Sequence, residues 1–534
     1  MKNLNKDILS LAVPSILANI TVPLVGMADI AVAGHLGGGS GAAALIGGIT
    51  IGTMLFDLLY WNFAFLRSGT GGLTAQAYGR LTARLQALNP ANTVSVACSS
   101  TAPGPKSAQN ALRDVLAPAD QVLSGDIGQI RNILWRALRI ASASGVVLVA
   151  LQWVILWLAF LIVDCSPEVR DLATQYFKIR IWAAPATLSL FAFKGWFIGL
   201  QNTVKPMIAD LMVNGINILL SFGLGFGLAG LPAMGFAGVA VGTLIAQWCG
   251  FTYAAIAARH SLGQLQTQKH VFLRNQRPSG AAANTKTPDS ALPAAPDTPD
   301  QVGGDVIPGP DRESPSFFRM NRDLVLRSLG MIAVYIGFTV ISARFGDTML
   351  AVSSILMKLL LVFSYFTDGF AYAGEALPGR FIGARDQAGV RAAIKGCFAW
   401  GWGLAGLFML LYGLGGVPMF HLLTSDAGVV DAGKEFIPWL LLMPVIGVPA
   451  FIWDGIFTGA TATAAMRNST LLCAVGFFAV WFGGYYLIAA LGESAPSGPL
   501  AIHILMAAYF MHLAVRSIYL TVCRRQVVAG VSET

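Results

Sequence analysis

Charge is scarce in this chain. Lys, Arg, Asp and Glu make up 12% of its 534 residues against 55% hydrophobic ones, and the mean hydropathy is +0.64. A soluble domain rarely carries that balance, so the expected solvent is a lipid bilayer. Paired cysteine spacing is missing too. Cys98, Cys165, Cys249, Cys397, Cys473 and Cys523 are scattered, mostly in or beside apolar stretches, which indicates neither a disulfide framework nor a metal cluster. His35, His421, His503 and His512 stand alone, without metal-ligand spacing. No GxxxxGK(S/T) run is present, which leaves an ATP-driven pump without support. Neither a nucleophile beside a base nor a close pair of acids stands out, so the reading is a non-enzyme without a cofactor. A net charge of +8 would suggest nucleic acid in a soluble protein. Here its placement along the chain assigns it to membrane orientation instead.

What is present in abundance is apolar stretches of roughly 20 residues, the length that crosses a bilayer. They fall near 8–33, 44–66, 136–162, 170–200, 205–228 and 235–258, then 327–345, 350–378, 390–415, 429–459, 469–489 and 499–522. The expectation is an all-α polytopic membrane protein with twelve spans, six per half. Short segments on one side carry Lys2, Lys6, Arg80, Arg84, Arg131, Arg136, Arg322, Arg327, Arg380, Arg385, Arg391, Arg467, Arg524 and Arg525. Segments 34–43, 229–235, 346–349 and 490–498 on the other side contain no Lys or Arg. The bias places both termini in the cytoplasm.

The halves repeat each other. Gly79 closes GTGGLTAQAYG and Gly383 closes AGEALPGRFIG, an offset of 383 − 79 = 304. Lys194-Gly195-Trp196-Phe197-Ile198-Gly199 returns as Asp454-Gly455-Ile456-Phe457-Thr458-Gly459, at an offset of 454 − 194 = 260. The difference, 304 − 260 = 44, is accounted for by an insertion at about 82–130, which mixes Ser, Pro, Ala and Asn with scattered charge. Residues 262–316 lack apolar periodicity and are rich in Pro, Ala, Asp and Thr, so they read as a disordered cytoplasmic linker. The expected organisation is an N-terminal six-helix lobe over 1–261, the linker over 262–316 and a C-terminal six-helix lobe over 317–534. Two equivalent halves around a cavity are a common plan of secondary transporters.

The runs LAVPSILANITVPLVGMADIAVAGHLG (11–37), FLRSGTGGLTAQAYG (65–79), NRDLVLRS (321–328), DGFAYAGEA (368–376) and DGIFTGATATAAMRNS (454–469) together resemble the MATE family of multidrug and toxic compound extrusion transporters. The nearest likeness is to its damage-inducible, DinF-like branch. The resemblance covers nearly the whole chain outside the two insertions. It implies a two-lobed, twelve-helix antiporter that exports organic cations or other amphipathic compounds in exchange for inward H⁺ or Na⁺.

Asp29 is the leading candidate for coupling, because an ionisable group in an apolar span is costly to bury and is usually retained to bind a cation or proton. A straight helix from Ile8 carries it about 31 Å along the axis, near the outer interface, so an interfacial Asp in water is the alternative. The family has its first-half coupling Asp at this motif position. Pro14 and Pro23 each lack an N–H and free a carbonyl four residues earlier, on Ser10 and Asn19, which allows the helix to bend. The resemblance also implies an Asn and an Asp four residues apart on the fifth span and a Thr on the sixth. Here these positions hold Asn217, Ser221 and Thr243, so one carboxylate is missing, which favours H⁺ over Na⁺. Helix packing by intramembrane polar residues is the alternative for Asn217 and Thr243.

In the second half, Asp368 and Glu375 lie on one helix face about 10.5 Å apart, and Asp454 resembles the acidic tenth-span residue of the family's sodium-coupled branch. Asp368 and Glu375 serve as coupling candidates or as anchors to basic groups such as Arg380. Lys194, the repeat partner of Asp454, is a candidate cavity charge partner that would pair with it across the lobes, the alternative being ion pairs within each lobe. Tyr60, Trp61, Phe63, Phe65, Trp196, Phe197, Tyr365, Phe366, Phe370 and Tyr372 offer rings either to a flat lipophilic cation or to neighbouring helices. The reading is therefore a secondary antiporter of the bacterial cytoplasmic membrane, with small amphipathic substrates and the bilayer as its partners, no nucleic acid and no obligate protein partner. A lipid-intermediate flippase of related architecture is the alternative; it would need a basic cavity.

Overall fold

The computed structural model describes residues 2–36, 42–88, 105–163, 165–275, 314–345, 347–423, 427–490 and 498–529. Among these the regular elements are helices: α1 Lys2–Leu36, α2 Ala42–Trp61, α3 Phe65–Ala87, α4 Pro105–Ala150, α5 Gln152–Ile162, α6 Pro167–Arg180, α7 Ala184–Gly199, α8 Val204–Phe226 and α9 Phe236–Asn275. The second half follows with α10 Ser314–Ser342, α11 Asp347–Gly383, α12 Gln387–Leu423, α13 Ala427–Lys434, α14 Ile437–Gly459, α15 Thr463–Ala490, α16 Gly498–Val522 and α17 Arg525–Ala529. Twelve helical stretches are long and apolar enough to cross a membrane, six in each half. The chain is an all-α polytopic membrane protein of two six-helix lobes. The second crossing is α2 continued by α3 after a break at residues 62–64, and the fourth is α6 and α7 joined by a 3₁₀ turn at Ile181–Ala183.

Both insertions are more helical than their composition suggests. Residues 105–130 belong to α4, because Leu123, Ile127, Ile130 and Leu134 recur at helical spacing and form a buried stripe packed with Trp196, Phe197 and Ala258. Arg84 holds Asp126 through two 2.8 Å hydrogen bonds, and Lys269 reaches Asp120 at 2.7 Å, so α3, α4 and α9 are tied together beyond the apolar core. Residues 262–275, expected in the linker, are the last turns of α9, with Leu262, Leu265 and Leu273 packed on the same cluster. Residues 89–104 and 276–313 lie outside the described residues.

The repeated glycine motifs explain how the lobes are built. A side chain on Gly195 or Gly199 of α7 would run into the carbonyl of Arg67 or Gly71 on α3. The equivalent Gly455 and Gly459 of α14 lie against the carbonyls of Ala371 and Glu375 on α11, which repeat Arg67 and Gly71 at the 304 offset. The lobes then meet each other in the same way. Gly79 lies against the carbonyl of Arg380, and Gly383 against that of Gln76. Side chains cross this seam reciprocally: Gln76 Nε2 donates to Thr461 Oγ1 at 3.3 Å and to the Gly459 carbonyl at 3.1 Å, while Arg380 Nη1 donates to Gln201 Oε1 at 3.0 Å. Gln201 and Thr461 are themselves repeat partners, and both end their helices in the left-handed region, at φ of 60° and 55°.

Because backbone fills the space a Cβ would take, Gly455→Ala is expected to cost about 1–3 kcal/mol through forced separation of α14 from α11. Gly403→Ala, at a helix position with nothing within 4 Å, should leave stability unchanged or raise it. Thermal unfolding of the detergent-purified variants checks the contrast.

Candidate coupling site

Asp29 sits in the last third of α1 and is 5% exposed. Its Oδ1 is 3.0 Å from Ser221 Oγ on α8. The same hydroxyl is 3.0 Å from Asn217 Oδ1, one turn earlier on the same face. From α9, Thr243 Oγ1 approaches Asn217 Oδ1 at 3.3 Å and the Val239 carbonyl at 3.2 Å. Asn217, Ser221 and Thr243 are all buried. Two hydroxyl protons therefore serve four acceptor contacts, since each hydroxyl carries one proton. A proton on the Asp29 carboxyl would add a donor, and an all-oxygen donor set is also the kind that holds a small hard cation.

A basic residue stands beside this cluster. Arg180, at the end of α6, donates from Nη1 to Tyr176 OH at 2.8 Å and lies 4.8 Å from the Phe56 ring centroid. It is within electrostatic range of both Asp29 and Asp57. Lower on α1, the Ser10 carbonyl freed by Pro14 accepts from Thr203 Oγ1 at 3.2 Å, and Asn19 Nδ2 reaches across to the Tyr365 carbonyl at 3.3 Å. Both prolines lie inside one continuous helix.

The second lobe holds a denser set of charges. Asp454 on α14 is clamped between Arg327 of α10 and Arg516 of α16, the latter with Nε 3.1 Å from Oδ1. Arg67 of α3 pairs with Glu375 of α11 at 3.0 Å, across the lobes, with its guanidinium 4.7 Å from the Tyr372 centroid. Asp368 lies within electrostatic range of Arg67, Arg516, Lys194 and Arg327.

Comparison with known proteins agrees with this architecture. The chain is 31% identical over 493 residues to the DNA damage-inducible protein F of Escherichia coli K12, covering 91% of this chain and 88% of that one. It is 25% identical over 247 residues to a probable multidrug resistance protein NorM of Thermotoga maritima, 46% of this chain and 43% of the relative. Residues 124–222 and 324–481 match the MatE family model. The chain belongs to the MATE family. At the level of fold, this MATE chain superposes with a TM-score of 0.67 and 15% identity on a MOP superfamily transporter from Pyrococcus furiosus, covering 99% of this chain and 97% of that one. That transporter is described as having a binding pocket of reverse polarity.

Several sequence expectations change against the geometry of this MATE transporter. Of the two readings of Lys194 and Asp454, ion pairs within each lobe hold and the cross-lobe pair does not: Lys194 pairs with Asp210 of its own lobe at 2.7 Å, and Asp454 is held by the two arginines of the second lobe. Arg380 is not the partner of Glu375, because it turns to Gln201 while Arg67 takes the carboxylate. Arg327, counted among the orienting charges of an interfacial segment, turns its side chain into the protein against Asp454, with 14% exposure. Of the rings considered for substrate, Trp196 and Phe197 are fully buried core, with Trp196 Nε1 bonded to the Ile130 carbonyl at 3.1 Å, and Phe370 stacks on Trp400. Tyr372 and Phe197 already have cations of this protein over their rings, Arg67 at 4.7 Å and Lys205 at 5.7 Å.

Sequence reasoning passed over Arg67, Arg180 and Arg516. The signal was available, since Arg516 is the one Lys, Arg, Asp or Glu in the apolar run 498–522, the criterion that singled out Asp29.

Removing one member of a buried charge cluster strands the others. Asp454→Asn is therefore expected to lower stability by about 3–5 kcal/mol, as an uncompensated pair of arginines remains. Thermal unfolding of the variant in detergent checks it, and an unchanged midpoint would argue that Asp454 is not a structural partner of Arg327 and Arg516.

Proposed function

We propose that this MATE transporter is a proton-coupled antiporter of the bacterial cytoplasmic membrane, exporting organic cations or other amphipathic compounds by alternating access, with both termini cytoplasmic. The observation that carries the reading is the buried Asp29 among the neutral oxygens of Ser221, Asn217 and Thr243. The site holds one carboxylate, because Ser221 stands where the family pattern has a second acid. Arg180 adds a fixed positive charge nearby. A hard cation such as Na⁺ gains much of its binding from carboxylate charge and keeps its own charge when bound. A proton instead neutralises Asp29 and supplies a hydrogen-bond donor, so the arrangement favours H⁺. Loading changes what α1 can bond to on α8, and Pro14 and Pro23 give that helix the freedom to bend in response.

The interior charges support export of small molecules over lipid flipping. Arg67, Lys194, Arg327 and Arg516 are set against Glu375, Asp210, Asp454 and Asp368. No large uncompensated basic surface is left for a lipid phosphate among these groups. Asp368 and Glu375 are the second-lobe acids we assign to the transport cycle, and Asp454 to holding the lobe together.

Efflux from proteoliposomes with an imposed pH or Na⁺ gradient tests the reading. Asp29→Asn should abolish pH-driven efflux, and Ser221→Asp, which restores a second carboxylate, should confer a response to Na⁺. Undiminished pH-driven efflux in Asp29→Asn would remove Asp29 from the mechanism.

A further inference from the structure

Glu375 holds an unusual place. It repeats Gly71 at the 304 offset, and the two residues meet at the seam: a side chain on Gly71 would occupy the position of Glu375 Oε1. The carboxylate of one lobe thus fills the gap left by its own counterpart in the other. Glu375 is 1% exposed, its Oε2 takes the 3.0 Å contact from Arg67, and its Oε1 is buried without a hydrogen-bond partner among the described residues. A buried carboxylate oxygen in that state is costly.

Arg67, by contrast, has other partners in reach. Its Nη2 donates to Ser68 Oγ at 3.1 Å, and its guanidinium lies over Tyr372. The charged and titratable groups around the pair are Asp368 and Tyr372 on α11, Lys194 on α7 and Arg327 on α10. Neutralising Glu375 removes the cross-lobe attraction and leaves the guanidinium supported from its surroundings.

We infer that the Arg67–Glu375 pair is a lock between the lobes, released when Glu375 takes up a proton. The pair lies on the same two helices as the Gly79 and Gly383 contacts and as Gln76 and Arg380, the donors of the hydrogen bonds to Thr461 and Gln201. Those contacts are backbone approaches and hydrogen bonds donated by an amide and a guanidinium. Glu375 brings a carboxylate to the seam. The seam must part at this end of the bundle for the cavity to open there, and an intact buried ion pair opposes it. The inference draws its driving force from the proton-antiport reading, while the lock itself is a property of the seam.

The test is conformational. Spin labels on A87C and A388C, exposed positions at this end of α3 and α12 in opposite lobes, report the separation in the detergent-solubilised full chain with its accessible native thiols replaced. Wild type should move from a short to a long distance population as the pH falls from about 8 to about 5. Glu375→Gln should show the long population already at the higher pH and lose the pH response. Gly71→Ala keeps every charge but displaces the carboxylate, and should shift the population in the same direction. Wild-type distances and pH response in both variants would overturn the lock. If the seam responds as stated while Asp29→Asn still transports, the lock stands and the antiport assignment to Asp29 fails. If Asp29→Asn is inactive and the seam ignores Glu375→Gln, the reverse holds.

Discussion

Backbone against backbone is the contact on which this molecule is built. The carbonyls of Arg67, Gly71, Ala371 and Glu375 occupy the places where side chains of Gly195, Gly199, Gly455 and Gly459 would stand, and the carbonyls of Gln76 and Arg380 do the same for Gly383 and Gly79. In a bilayer, burying apolar surface between helices gains little, because lipid tails are as apolar as leucine. Close approach and the dispersion and weak polar contacts it allows must then hold the bundle. That requirement fixes small residues at matching positions of both halves, and so preserves the repeat where the rest of the sequence has diverged.

The same helices carry the charges, and the two facts are connected. Tight packing of α3 with α7 and of α11 with α14 leaves few interior places for a polar side chain. Those that exist are shared: Asp454 by two arginines, Asn217 by two hydroxyls, Glu375 by Arg67 and the hollow at Gly71. A lobe with such packing moves as a body, since separating its helices would expose carbonyls and ions together. The proposed alternating access assigns motion to places where the backbone is interrupted or the lobes meet, such as the prolines of α1, the break between α2 and α3, and the seam.

The architecture was legible because its signals are long or repeated. Twelve apolar runs and the 304 and 260 offsets need no knowledge of which face a helix presents. The cluster around Asp29 was legible through family likeness and the four-residue spacing of Asn217 and Ser221. Ion-pair partners were not. Lys194 and Asp454 look like natural partners by repeat symmetry, yet each pairs within its lobe, with Asp210 in one case and with Arg327 and Arg516 in the other. In a membrane helix both the lipid face and the packed face are apolar, so periodicity does not say where a lone charge points. The extensions of α4 and α9 were hidden for the opposite reason. Their polar composition masked a narrow stripe, Leu123, Ile127, Ile130 and Leu134, that is enough to hold a helix against an existing core.

Pseudosymmetry also shows where the halves have been allowed to differ. The break at residues 62–64 corresponds, at the 304 offset, to Phe366, Thr367 and Asp368, which lie inside the continuous helix α11. Position 71 is glycine in one lobe and its counterpart is Glu375 in the other; position 194 is lysine and its counterpart is Asp454. A perfect two-fold would set identical charges against each other at the seam, where like charges repel and cannot be satisfied in a dry interior. With Arg67 facing Glu375 where their counterparts are Ala371 and Gly71, a single complementary pair crosses the seam, while Lys194 and Asp454 are satisfied within their own lobes. Equivalent backbones with inequivalent charges are thus the economical way for two copies of one bundle to close on each other and still come apart.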